Sequence, residues 1–134
     1  MGCGLKERDG VGRGRAYGWR MAGRRQWNVD FDEGAVRDFE GVKGREERRA
    51  VFTVVDKLRQ LGPRLVPPHV KSLAGEADLF ELRPRQGRSK ARPIVVRHRG
   101  GYLVVAVSAD HAKDMGRAVA NARERLKARG ESAD

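Results

Sequence analysis

The sequence predicts an α+β domain in the order strand, helix, helix, strand, strand, strand, helix, with the helices packed on a largely antiparallel sheet. Three observations predict it. Apolar residues alternate with polar ones in QWNVDF (26–31) and LFELR (79–83), the period-two pattern of half-buried strands. Apolar residues recur at spacings of three and four within 45–61 and 115–126, the pattern of amphipathic helices. Two apolar runs, RPIVVRH (92–98) and YLVVAVS (102–108), flank Arg99-Gly100-Gly101, which reads as a tight hairpin turn.

The elements follow in chain order. Residues 1–25 hold seven Lys/Arg, two acids and seven glycines, with few large apolar side chains, so they read as a disordered basic tail. With Met21 just before the first strand, the alternative is sequence upstream of the true start; a basic arm touching nucleic acid is the sharper reading. Trp27, Val29 and Phe31 form one face of the first strand. Asp32 offers an N-cap, and Ala35, Val36, Phe39 and Val42 continue as a helix that Gly41 and Gly44 interrupt. The second helix runs from about Arg45 to Leu61, with Val51, Val54, Val55, Leu58 and Leu61 on one face, and Gly62-Pro63 ends it. Residues 65–78, with Pro67 and Pro68, read as a surface loop. The unbroken apolar run 102–108 suggests a central strand covered on both faces. Met115, Ala118, Val119, Ala122 and Leu126 trace the last helix. The domain thus spans 26–129 and residues 130–134 form a tail.

Charge is the main functional signal. The chain has 134 residues and a net charge of +11, which makes a polyanion the default partner. Seven cations without an acid, Arg83, Arg85, Arg88, Lys90, Arg92, Arg97 and Arg99, lie between 83 and 99. Alternation along a strand would let Arg83 and Arg85, and likewise Arg97 and Arg99, share a face. Guanidinium groups bind phosphate oxygens bidentately, so this stretch reads as a nucleic-acid surface. A solvated, solubilising face is the bland alternative.

Other chemistry is poorly supported. The single cysteine, Cys3, makes no internal disulfide or cysteine metal site, which points to a reducing, cytoplasmic setting. His69, His98 and His111 have no paired spacing, and no acidic cluster suits a two-metal nuclease, so neither metal nor cofactor is expected. GVGRGR (10–15) lacks the strand and helix that a phosphate loop requires. No run of about 18 apolar residues is available to span a membrane. His111, in SADHAKD (108–114), follows the predicted central strand, a position from which an imidazole can move a proton. Asp110 and Asp114 are the nearby carboxylates and Lys113 the nearby cation. In the competing reading Asp110 is a helix cap and His111 a plain first-turn residue. Trp27 and Tyr102 read as packing residues.

The strand opening WNVDF, the stretch LRQLGPRLVPPHVKSLAG (58–75), the strand LFELRP (79–84), GRSKARPIVV (87–96) and the helix end AVANARERL (118–126) together resemble a RelE/HigB-type toxin, in the phage-derived Gp49-like branch of the RelE/ParE superfamily. The resemblance covers about 26–129. It implies a small twisted antiparallel sheet with two N-terminal helices and a C-terminal helix. It also implies the toxin of a type II toxin–antitoxin pair: a ribosome-dependent, metal-independent mRNA endonuclease in which the substrate 2′-hydroxyl attacks the adjacent phosphate and cationic groups stabilise the transition state. On this basis Arg83, Arg92, His111 and Lys113 are the expected catalytic residues, and Arg85, Arg88, Lys90, Arg97 and Arg99 would bind RNA. The expected partners are a cognate antitoxin of helix-turn-helix type, the ribosome and mRNA. The segment AVSADHAKDM (106–115) departs from relatives that carry a Lys–Lys pair, or a Tyr or His near the C-terminus. Two competing functions share these features: a ParE-like gyrase-poisoning toxin, and a non-catalytic nucleic-acid-binding or regulatory module.

Overall fold

A computed structural model describes residues 26–76 and 78–130; the basic segment 1–25 and residues 131–134 lie outside the described residues. Strand β1 (Val29–Phe31) leads into helix α1 (Glu33–Glu40). Asp32 caps that helix, its Oδ2 accepting from the Gly34 N–H at 2.8 Å. Helix α2 (Arg45–Leu61) buries Val51, Val54, Val55 and Leu58, the stripe predicted from their spacing. It ends at Gly62, whose φ of 54° is left-handed. A β-carbon there would lie 2.4 Å from the Trp27 indole nitrogen, so the indole packs directly on the glycine backbone.

Strands β2 (Val70–Ser72), β3 (Phe80–Leu82), β4 (Arg92–His98) and β5 (Gly101–Ser108) follow, and helix α3 (His111–Ala128) closes the domain. The sheet order is β1-β5-β4-β3-β2. β1 runs parallel to β5 and every other pair is antiparallel. Between β4 and β5 the expected tight turn is made by two residues, Arg99 (φ 50°) and Gly100 (φ 77°), both with positive φ, and Gly101 already belongs to β5.

The strand β2 corrects the reading of 65–78 as loop throughout. Three residues between two prolines and a glycine carry no visible alternation. Their extended state comes from a partner, with Val70 opposite Leu82 and Ser72 opposite Phe80. The Arg83 N–H extends this pairing by donating to the His69 carbonyl at 2.8 Å.

β5 is buried at every position, as its apolar run predicts. Its two faces serve two cores. Tyr102, Val104 and Val107 pack with Ala35 of α1 and the α2 stripe. Leu103, Val105 and Ala106 pack with Ala118, Ala122 and Leu126 of α3. A bulge makes this possible: Ile94 faces Ala106 while Val95 faces Val104, so Val105 is the extra residue. Two backbone groups at and beside the bulge find side-chain partners. The Val105 carbonyl accepts from Arg125 Nη1 at 2.9 Å, and the Val107 N–H donates to Asp38 Oδ2 at 3.1 Å. Arg125 also pairs with Asp38 at 2.7 Å, tying α3 to α1. Among the described residues no helix is long and apolar enough to cross a membrane.

Candidate nucleic-acid interface

The cationic stretch 83–99 does not form two flat arginine-bearing strands. β3 stops at Leu82, because Pro84 cannot donate to a ladder. Pro84–Gly87 instead forms a tight 3₁₀ turn in which Arg85 (φ 53°), Gln86 (φ 59°) and Gly87 (φ 96°) are all left-handed. Two consecutive non-glycine residues in that region store strain, which surrounding contacts must hold. Those contacts come from Glu47 on α2. Its Oε2 pairs with Arg85 Nη2 at 2.5 Å, and its Oε1 accepts from the Lys90 and Ala91 N–H groups at 3.1 and 3.2 Å. Arg85 Nε also donates to Ser89 Oγ at 2.7 Å. The expected sharing of a strand face by Arg83 and Arg85 therefore does not occur; Arg85, Arg88 and Lys90 sit on this clamped turn.

The clamped turn and α2 enclose a groove of about 430 Å³. Arg49, Lys57, His69, Arg85 and Arg88 line it, with Glu46 as its one acid. Arg49, Thr53 and Lys57 follow one another at four-residue spacing along the α2 face. That periodicity was legible in the sequence, yet it draws attention only once the turn is seen opposite. His69 arrives from the segment before β2. Sequence reasoning missed Arg49, Lys57 and His69 as site residues, and Glu47 as the residue that holds the site's shape.

Arg92 stands behind the turn and is 2% exposed, so the expectation that it shares an exposed nucleic-acid surface with the other six cations is corrected. It faces inward because its neighbour on β3, Glu81, is also buried and supplies a carboxylate: Arg92 Nη1 lies 3.3 Å from Glu81 Oε1. Nη2 donates to the Gly87 carbonyl at 2.9 Å and lies 3.0 Å from His111 Nε2. Burial pushes the Arg92 pKa down from the usual arginine value, and the Glu81 charge pushes it back up. Glu81 is a further residue that sequence reading missed. It looked like the polar half of an alternating strand.

The remaining expected residues fall in three places. Arg83, about a third exposed, reaches toward Glu81 at 3.9 Å and packs its guanidinium against Gly87. His111 opens α3, its N–H donating to the Lys90 carbonyl at 2.9 Å. Asp110 is the N-cap and accepts from the Ala112 N–H, while Asp114 accepts from Ser108 Oγ at 2.5 Å. The carboxylates near His111 in sequence are thus engaged elsewhere, and the ring faces an arginine. Lys113 is exposed on the first turn of α3. Arg97 and Arg99 lie at the far end of β4, about 20 Å from Arg92 at the usual rise per strand residue. Arg97 stacks on Tyr102 and Trp27, its guanidinium carbon 5.1 and 5.8 Å from the ring centroids. That stacking keeps both aromatic residues in the packing role expected of them. Arg97 therefore borders a second, mainly apolar hollow with Leu58, Leu65 and Phe80, away from the clamped groove. The seven cations are not one patch.

A small sheet with two helices on one face and a third helix on the other is the fold that the solved structures share with this chain. The chain matches the structure of a double arginine-to-alanine mutant of the E. coli toxin RelE in the free state, with a TM-score of 0.56 and 19% identity, over 75% of this chain and 98% of that one. The family model described as "Phage derived protein Gp49-like" matches residues 43–127, and the chain belongs to that family. No curated protein matches it in sequence.

Proposed function

We propose that this protein is the toxin of a type II toxin–antitoxin pair and that it cleaves mRNA on the ribosome. The observation that carries the reading is the groove between α2 and the turn 84–87, where Arg49, Lys57, Arg85 and Arg88 converge around His69 with a single acid. Such a groove holds consecutive phosphates of a single strand, and it occurs in a Gp49-like chain with the RelE fold. Arg83, packed beside Gly87, lines the second hollow instead, and Lys90 and Lys113 are exposed. In the reaction the RNA 2′-oxygen attacks the adjacent phosphorus and the bond to the 5′ oxygen breaks. The 2′-hydroxyl proton passes to a base and the leaving oxygen gains one, giving a cyclic phosphate and a 5′-hydroxyl. Arginines stabilise the negative charge that builds on the phosphate. His69 is the imidazole that lines the groove, and the base in this scheme is His69. No cofactor enters this scheme. Arg92 acts through its neighbours, since its side chain is buried. An antitoxin with acidic segments is the partner that would neutralise the groove, and a helix-turn-helix gene beside this one would supply it.

The test is induction of the full chain in a bacterial host, with growth and 5′ ends of cellular mRNA followed together. Codon-phased cuts within translated regions, with growth arrest, are expected. Arrest with intact mRNA would replace this reading by a gyrase-directed toxin. Normal growth at proven soluble expression would replace it by a binding module.

A further inference from the structure

The contact between Arg92 and His111 has only one chemical sense. A guanidinium offers donors and no acceptor. At 3.0 Å from Arg92 Nη2, His111 Nε2 is placed to accept, the sense that goes with a ring protonated on Nδ1. Arg92 is not free to turn away. Glu81 and the Gly87 carbonyl hold its two terminal nitrogens, and its side chain is 3% exposed. His111 is fixed too, by its backbone bond to Lys90 and by the Asp110 cap. Asp110 and Asp114 accept from other groups. Among the described residues none takes a hydrogen bond from His111 Nδ1, and the ring is partly exposed.

We propose that Glu81 and Arg92 are positioning residues that hold His111 as a neutral Nδ1–H donor, and that this N–H serves a phosphate oxygen of bound RNA without transferring a proton. Proton transfer is disfavoured in both directions. Loss of the Nδ1 proton would leave an imidazolate. Gain of a proton at Nε2 would set an N–H and a positive charge against the guanidinium. A neutral imidazole held in one tautomer is instead suited to stabilising charge on an oxygen. The histidine expected from the sequence to move a proton thereby becomes a fixed donor. The tautomer rests on the Arg92 contact; the nature of the anion rests on the RNA-cleaving function proposed above.

Long-range ¹H–¹⁵N correlation spectra of the full chain, with ¹⁵N-labelled histidine at pH 7.5, read the ring tautomer directly. The His111 signals are assigned by their loss in His111→Ala. The expected result is an Nδ1–H ring in the wild type. In Glu81→Leu/Arg92→Met, which removes both buried charges together so that neither is stranded, the ring should move toward Nε2–H. Should that pair of changes disrupt the fold, Glu81→Gln should shift the ring partway in the same direction. An Nε2–H or doubly protonated His111 in the wild type overturns the proposal. A 2′-O-methyl RNA oligonucleotide, which cannot be cleaved, should move the Nδ1–H proton resonance downfield on saturation. A resonance unmoved at saturation overturns the assignment to phosphate. Neither measurement needs turnover, so failure here is distinct from failure to cut mRNA in cells.

Discussion

Arg92→Ala should unfold much of the protein's margin of stability. Arg92 and Glu81 form an ion pair whose side chains are 3% and 8% exposed. Deleting the guanidinium leaves the Glu81 carboxylate buried, with Arg83 Nε at 3.9 Å as its remaining cation. It also takes a donor from the Gly87 carbonyl. Breaking one side of a buried pair costs about 3–5 kcal/mol, against a total stability of roughly 5–15 kcal/mol for an ordinary domain. The assay is urea denaturation followed by circular dichroism. With a slope of about 1.5 kcal/mol per molar urea, the midpoint should fall by about 2–3 M at unchanged slope. Glu81→Leu/Arg92→Met should recover most of that loss, since removing both charges strands neither. A single Arg92→Ala variant within about 1 kcal/mol of wild type would refute the reasoning and return Arg92 to the open face, as a residue that could meet RNA directly. Reduced activity in Arg92→Ala is therefore interpretable only beside its melting curve.

Other outcomes are expected from the same geometry. Arg83→Ala, at a partly exposed position, should keep the fold within about 1 kcal/mol and lower mRNA cleavage in the induction assay. Arg88→Ala or Lys57→Ala should weaken binding of a single-stranded RNA and reduce the slope of log affinity against log salt by about one each; an unchanged slope would remove that residue from the groove. Asp38→Ala and Arg125→Ala should each destabilise by about 2–3 kcal/mol in urea, and their double-mutant cycle should show coupling of at least ~1 kcal/mol, because the two share the bulge. Gly62→Ala should cost about 2–4 kcal/mol by thermal unfolding, combining a left-handed backbone with displacement of the Trp27 indole.

Local regularities made most of the fold legible. The Val51–Leu58 stripe announces α2, the alternation around Phe80 announces β3, and the run 102–108 announces a strand buried on both faces. Each depends on residues a few positions apart, which the geometry of one helix turn or one pleat translates directly into a face. Composition and charge were equally readable, including the net charge of +11 and its concentration in 83–99. The site was less so. β2 exists because Val70 meets Leu82, and no pattern in Pro67–Leu73 required it. The acid-free run 83–99 looked uncompensated, yet Glu47 reaches Arg85 across 38 positions and Glu81 turns inward to Arg92. The side chains of Arg92 and Arg85 consequently serve the shape of the groove as much as its charge, while Arg49, Lys57 and His69 join it from other elements. Asp38 and Arg125 meet across 87 positions at a bulge that no local rule predicts. Periodicity is a property of neighbours along the chain; the burial and pairing of a charge depend on what folding brings beside it, because an ion loses its water only when distant segments close around it.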